Sequence, residues 1–488
     1  SGSCGKTDRC FMGTNHSSTF SLINGTHGPA GLLLSFGSGQ VQGVLARETV
    51  QIGQLKAPMQ DGILLMTAKA LSFGGPFEGI LGLGIPHKEQ EAVDLNRPSA
   101  APHGVGPHGM KGSATANQAV QDIIKKIKDM IKSRMGNSSG SAPAPDRIAT
   151  LSQEDTDVMA LATVNGELAV KQPGGFLEQA HIGRFSMCFN EGANGVLRVG
   201  TPPAQMAHGS VGTQHWGLDF RGVSVGKSSV PLQFCSAENM TKGQQSPCGA
   251  IPDSGTTLIM APKEHLNVLF EEVCESWERC RRNYTALTQA AKAASDAAKE
   301  HYGFNPFDIS TPKKSTVFQY LLQDCEAWIQ ESTGLDELPE LSFHVQGSNG
   351  TKQTLAIPGS SYVLAMEQSV AGPMSGVPSI TEVVKPAKAG DKKKTVCQAA
   401  FGPMDYNTAA NGPVWILGTP LFYEFNVGYD LFSKPPAISF SSTKDSPCGA
   451  CDKEVGLVAA TASRTRARSP RVLPGPPRMP SYDTSRPL

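Results

Sequence analysis

Residues 251–258 read IPDSGTTL, and whether Asp253 is a catalytic carboxylate or an ordinary acidic turn residue decides how the rest of the chain is understood. A D-[ST]-G triplet at the end of an apolar strand places its carboxylate at a tight turn that Gly allows, where neighbouring hydroxyl and N–H groups hydrogen-bond the oxygens and fix their direction. Asp-Ser-Gly alone is a weak signal, because the same triplet makes common turns. Here Pro252 precedes Asp253, Ser254, Gly255, Thr256 and Thr257 follow it, and apolar Leu258, Ile259 and Met260 come next. Far downstream stands Trp415-Ile416-Leu417-Gly418, a second apolar stretch closed by Gly. Together the two are far more specific than either alone.

The bulk properties limit what such a carboxylate could serve. With 43 Lys+Arg against 43 Asp+Glu the chain has no global field, which argues against nucleic acid or an anionic membrane as partner. Its 488 residues give a soft expectation of about three domains, and 52 Gly with 35 Pro point to a loop-rich, largely β protein. Eleven cysteines, several close together, fit an oxidising compartment, and the odd count leaves at least one thiol over. The six N-x-[ST] sequons, at Asn15, Asn24, Asn137, Asn239, Asn283 and Asn349, are compatible with secretion. No run of 18 apolar residues marks a membrane span. The chain opens on Ser1 without Met or signal peptide, so a processed chain or a fragment is expected.

Short apolar runs with Gly between them (GLLLSF, GVLARETVQIG, DGILLM) predict antiparallel strands from 1 to 86. From 87 to about 174 the composition turns to Pro, Gly, Ser, Ala and His and reads as an insertion. Within it Val120, Ile123, Ile124, Ile127, Met130 and Ile131 share one helical face, expected to pack on the parent domain; a membrane-surface or partner helix is the alternative. Strands resume at RFSMCF (184–189). A second insertion, about 275–320, is rich in Ala and Lys and is expected to be helical. Residues 447–488 form a basic, Pro-rich tail expected to be disordered. His87, His103 and His108 lie among Pro and Gly and are not read as metal ligands.

Taken together, DSGTT and WILG resemble the pepsin-like aspartic proteases, in which each of two lobes carries a D-[ST]-G turn backed by a later hydrophobic-hydrophobic-Gly segment. Phe77-Glu78-Gly79-Ile80-Leu81-Gly82-Leu83-Gly84 resembles that backing segment in the N-terminal lobe, Ser35–Gly39 the tip of the flap, and His16–Phe20 the strand before it. The resemblance implies an all-β bilobal fold with helical and low-complexity insertions: an incomplete N-terminal lobe over 1–190, with its flap near 32–50, and a C-terminal lobe over 191–446. It implies that Asp253 is one of two catalytic carboxylates, oriented by Ser254, Gly255, Thr256 and Thr257. Ile416, Leu417 and Gly418 would support that loop; Ile80, Leu81 and Gly82 would support the other. Phe36, Gly37 and Ser38 would cover substrate, with Phe36 where most relatives have Tyr, so the lid keeps its ring and loses its hydroxyl.

The resemblance also implies disulfides Cys4–Cys10, Cys235–Cys248 and Cys325–Cys397. Cys274–Cys280 and Cys448–Cys451 are further candidate pairs, leaving Cys188 over; no redox or metal role is assigned to CGAC at 448–451. No cofactor and no metal are implied, since water is the nucleophile, and the expected partners are extended peptides bound by strand-like pairing to a monomer. A secretory, acidic or extracellular location follows. The low-complexity insertions, extra cysteines and RFSMCF resemble apicomplexan enzymes of the plasmepsin and toxomepsin group more than digestive pepsins, which implies maturation of exported or secretory-organelle proteins.

No second D-[ST]-G occurs in residues 1–488, whereas the dyad chemistry needs two carboxylates sharing a proton. The favoured expectation is that the first lies upstream of Ser1, so that the chain as written is inactive. An inactive relative that binds peptides, and a chain that assembles its dyad by dimerising, are the alternatives.

Overall fold

The computed structural model describes residues 17–69 (save 26–27, 30, 37–38 and 53–54), 79–86, 175–302 (save 214), 312–329, 334–369, 393–450 and 471–472. By its contacts the chain divides into one unit of 1–87 with 173–488 and another of 88–172. The second unit, with the amphipathic stretch around Ile123 to Ile131 and the insertion histidines, lies outside the described residues. Cys4, Cys10 and Cys451 lie outside them too.

The N-terminal region is an antiparallel meander of β1 (Gly31–Phe36), β2 (Gly39–Ile52) and β3 (Leu55–Lys69). The first two form a hairpin in which Phe36 pairs with Gly39. The next strands are β4 (Arg184–Cys188), β5 (Val196–Val199), β6 (Leu218–Val225), β7 (Cys248–Pro252) and β8 (Ile259–Ala261). Helices α1 (Lys263–Ser276), α2 (Glu278–Tyr302) and α3 (Lys314–Gln323) follow. The remainder is β9 (Leu341–Gln346), β10 (Lys352–Ile357), β11 (Val363–Ser369), β12 (Lys393–Ala399), β13 (Phe401–Pro403), β14 (Gly412–Leu417), α4 (Thr419–Glu424), β15 (Phe425–Asp430), β16 (Ala437–Ser442) and β17 (Arg471–Val472).

Among the described residues the main sheet runs β10-β9-β6-β7-β14-β8-β13. Its burial follows position. β9, toward the edge, alternates buried and half-buried residues, whereas Cys248–Pro252 of β7 and Val414–Leu417 of β14 are buried throughout, as expected of a parallel pair covered on both faces. A second sheet, β5-β4-β15-β16, ends on the short strand His208–Gly209. Helix α2 has one buried residue, Cys280; its Ala- and Lys-rich sequence makes it helical by propensity while most of it stays in water.

Four disulfides occur among the described residues: Cys188–Cys448, Cys235–Cys248, Cys274–Cys280 and Cys325–Cys397. The expected Cys448–Cys451 pair is corrected. Cys448 is buried with Cys188 and Val196, and Arg198 reaches over this corner to donate to the Cys448 carbonyl, so the C-terminal segment is pinned to β4 and β5 across 260 residues. Cys188, taken as the leftover thiol, is its partner. Removing a cross-link that closes so long a loop should cost about 3 kcal/mol. Cys188→Ala and Cys448→Ala should therefore lower stability equally in urea melts, and the double variant no further.

Candidate active site

Asp253 follows β7 at its C-terminal end. β7 lies parallel to β14, with Ile251 opposite Ile416 and Pro252 opposite Leu417, and Asp253 N–H donates to the Leu417 carbonyl at 3.0 Å. After the turn the chain returns in β8, where Met260 lies opposite Ile416 in antiparallel register. One strand, β14, thus pairs with both arms of the turn. Ile251, Leu258, Met260, Leu364, Val414 and Ile416 form a buried apolar cluster under it.

The turn directs both carboxylate oxygens. Gly255 N–H donates to Oδ1 at 2.8 Å, and the buried Thr256 hydroxyl donates to Oδ2. Thr257 is buried, while Ser254 is half-buried and Gly255 exposed. Two donors on a partly exposed carboxylate hold its plane while leaving it reachable.

The role of glycine differs from the one expected of the triplet. Gly255 does not have a positive φ; a Cβ there would sit 3.1 Å from Asp253 Oδ1, so the hydrogen keeps room beside the carboxylate. The closer constraint is at Gly418, where a Cβ would lie 2.1 Å from the Leu258 carbonyl oxygen and 2.6 Å from that of Thr256. Gly418 allows the backbone after β14 to press against the turn. Thr419 then fastens it: its N–H donates to Thr256 O and its hydroxyl to Thr257 O, both at 2.8 Å.

Sequence reasoning missed Thr419, and also an aromatic layer. Tyr429 of β15 is buried, stacks on Phe185 at 4.7 Å and lies 5.0 Å from Trp216, and its hydroxyl donates to the Pro252 carbonyl at 3.4 Å. Burial, and next the charge of Asp253, push the phenol's pKa upward, so it stays neutral. Trp216 Nε1 donates to Leu83 O at 2.9 Å, which ties residues 79–84 to this layer. Within that segment Ile80 and Leu81 are 56% and 39% exposed and Gly82 is exposed, so among the described residues they are not packed behind a catalytic turn. Phe36 ends β1 at the hairpin tip, and Gly37 and Ser38 lie outside the described residues.

Behind the turn, His265 of α1 stacks on Phe234 at 4.5 Å and its Nδ1 accepts from Trp415 Nε1 at 3.2 Å. Cys235 and Cys248 lie close enough to His265 to suggest a metal cluster, but their sulfurs are consumed in a disulfide and offer no thiolate. Burial lowers the His265 pKa to about 4, against the opposing charge of Glu264. A histidine depressed in the folded state contributes stability that is fully present above its unfolded value of 6.5 and is lost as pH falls toward 4. Because the ring is partly exposed, the loss should be on the order of 1–2 kcal/mol. His265→Gln, which keeps an acceptor for Trp415, should flatten the stability profile between those two pH values.

A cavity of about 600 Å³ lined by Arg221, His344, Gln346 and Lys352 includes no residue of the Asp253 turn.

Residues 3–100 match the family described as eukaryotic aspartyl protease. The chain is also similar to vacuolar protease A of Aspergillus fumigatus, 36% identical over 76 residues that make up 15% of this chain and 19% of that protein. The chain thus spans less than a fifth of the length of the curated relative it matches. The family match takes in Phe36–Ser38 and Ile80–Gly82, while Asp253 and its supports lie beyond it and rest on their own geometry.

Proposed function

We propose that the chain is part of a pepsin-like aspartic endopeptidase in which Asp253 is one of two carboxylates that activate a water molecule for peptide-bond hydrolysis. The observation that carries this is the Asp253 turn: both oxygens are held by donors from within the turn, and Gly418 and Thr419 brace its backbone. The N-terminal family match supports the same activity from a different part of the chain.

In this reading the partner carboxylate belongs to a D-[ST]-G turn upstream of Ser1, backed by Ile80, Leu81 and Gly82, whose exposure fits a surface awaiting that turn. One carboxylate takes the proton of the water while the other, protonated, donates to the substrate carbonyl, so activity favours acid pH. Ser254, Gly255, Thr256 and Thr257 orient Asp253, and Ile416 to Gly418 support them. Phe36, Gly37 and Ser38 close over an extended peptide with apolar side chains at the scissile bond, bound by strand pairing. The enzyme acts as a monomer without metal or organic cofactor. The disulfides and the vacuolar relative support a secretory or vacuolar compartment, and the insertions support kinship with the apicomplexan enzymes.

The test is hydrolysis of an extended apolar peptide at acid pH by the protein carrying its upstream segment. Cleavage is expected; binding without cleavage would replace this reading with that of a pepsin-fold binding protein.

A further inference from the structure

The C-terminal tail is not featureless: Arg471 and Val472 form β17 and pair in parallel with β11, Arg471 opposite Leu364 and Val472 opposite Ala365. The other edge of β11 is fully taken by β12, from Val363–Ala399 to Ser369–Lys393. The tail therefore occupies the edge that the rest of the described sheet leaves to it.

The sequence explains why the contact is short. Arg471, Val472 and Leu473 stand between Pro470 and Pro474. Neither proline has an N–H to donate to a ladder, so the pairing cannot lengthen through either of them. Two paired residues hold a separate peptide only weakly, because few ladder bonds offset its loss of freedom. Covalent connection through residues 452–470 makes the pairing intramolecular, which raises the local concentration of the segment beside β11.

β11 is also no peripheral strand. Leu364 is buried in the cluster with Ile251, Leu258 and Ile416 under the Asp253 turn, while Val363 and Ala365 are buried in the main core. We propose that Arg471 and Val472 are a strap that docks in cis on the edge of β11 opposite β12, and that this edge is a β-addition site with the chain's own tail as its occupant. The inference rests on backbone pairing and holds whether or not Asp253 is catalytic.

The test uses the full chain and the double substitution Arg471→Pro/Val472→Pro, which removes both N–H groups from the clip. Amide hydrogen exchange across 363–369 should quicken at least tenfold in the variant. A labelled peptide of residues 468–475, RSPRVLPG, should bind the variant at least tenfold more tightly than it binds the wild-type chain, whose edge is occupied. Equal exchange in the two chains, or equal peptide binding, would overturn the proposal. So would self-association of the variant with 363–369 still protected, since a second copy and not the tail would then be the partner of that edge. If the variant unfolds, full-chain Val472→Ala, which keeps the N–H, should exchange at 363–369 like wild type; faster exchange there would refute a backbone-borne clip.

Discussion

Asp253→Asn is expected to lower the rate of peptide hydrolysis by roughly 10⁴-fold or more while leaving the fold and substrate affinity nearly unchanged. Asn is isosteric with Asp. Its Oδ1 can still accept from Gly255 N–H, and its amide can donate to the Thr256 hydroxyl in place of accepting from it. The loss is therefore chemical: an amide cannot take a proton from water or share one with a second carboxylate. Peptide held by strand pairing does not depend on that charge, so the decrease should fall on kcat and spare KM. The Tyr429 phenol is neutral with or without that charge, so thermal stability should be nearly unchanged. A variant that still cleaves within tenfold of wild type would show that Asp253 is a turn residue only.

Gly418→Ala should destabilise the protein by roughly 4 kcal/mol and abolish activity with it, a large effect for one methyl group. The argument does not use backbone strain, because φ at Gly418 is −75° and suits any residue. It is one of space: the new Cβ would meet the carbonyl oxygens of Leu258 and Thr256, which are backbone atoms and cannot swing aside. Thr256 O is also held by Thr419 N–H, so moving it breaks the brace on the turn. By contrast Gly255→Ala, with its nearest contact at 3.1 Å from a carboxylate oxygen, should shift stability by only about 1 kcal/mol and act mainly on kcat. Denaturant midpoints of the two variants separate the roles. A larger loss at Gly255 than at Gly418 would reverse the assignment.

These contrasts show where the sequence was legible. The apolar run before Asp253 and the WILG segment could be read as two strands because each is a short buried run closed by a turn residue, and they do pair, Ile251 with Ile416. The helical nature of α2 was legible from its Ala and Lys content. What escaped was fixed by contacts distant in sequence. CGAC invites a local pair, yet Cys448 finds Cys188 because β4 and the C-terminal segment meet at a buried corner. Tyr429 looks like any strand aromatic until β15 places it beneath Pro252. Gly255 attracts notice because it sits in the motif, while the tighter demand falls on Gly418, where two backbones cross. The clip at Arg471 was hidden by the Pro-rich, disorder-prone composition around it.

The central claim is that Asp253 is half of a carboxylate dyad, and titration with a statine-type peptide, which mimics the tetrahedral transition state, addresses it most directly. In the protein with its upstream segment, the mimic should bind tightly at one site at acid pH and at least ~100-fold more weakly to Asp253→Asn, as expected when a transition-state mimic loses one carboxylate of its site. Equal affinity for both proteins, or no binding to either, would contradict the account.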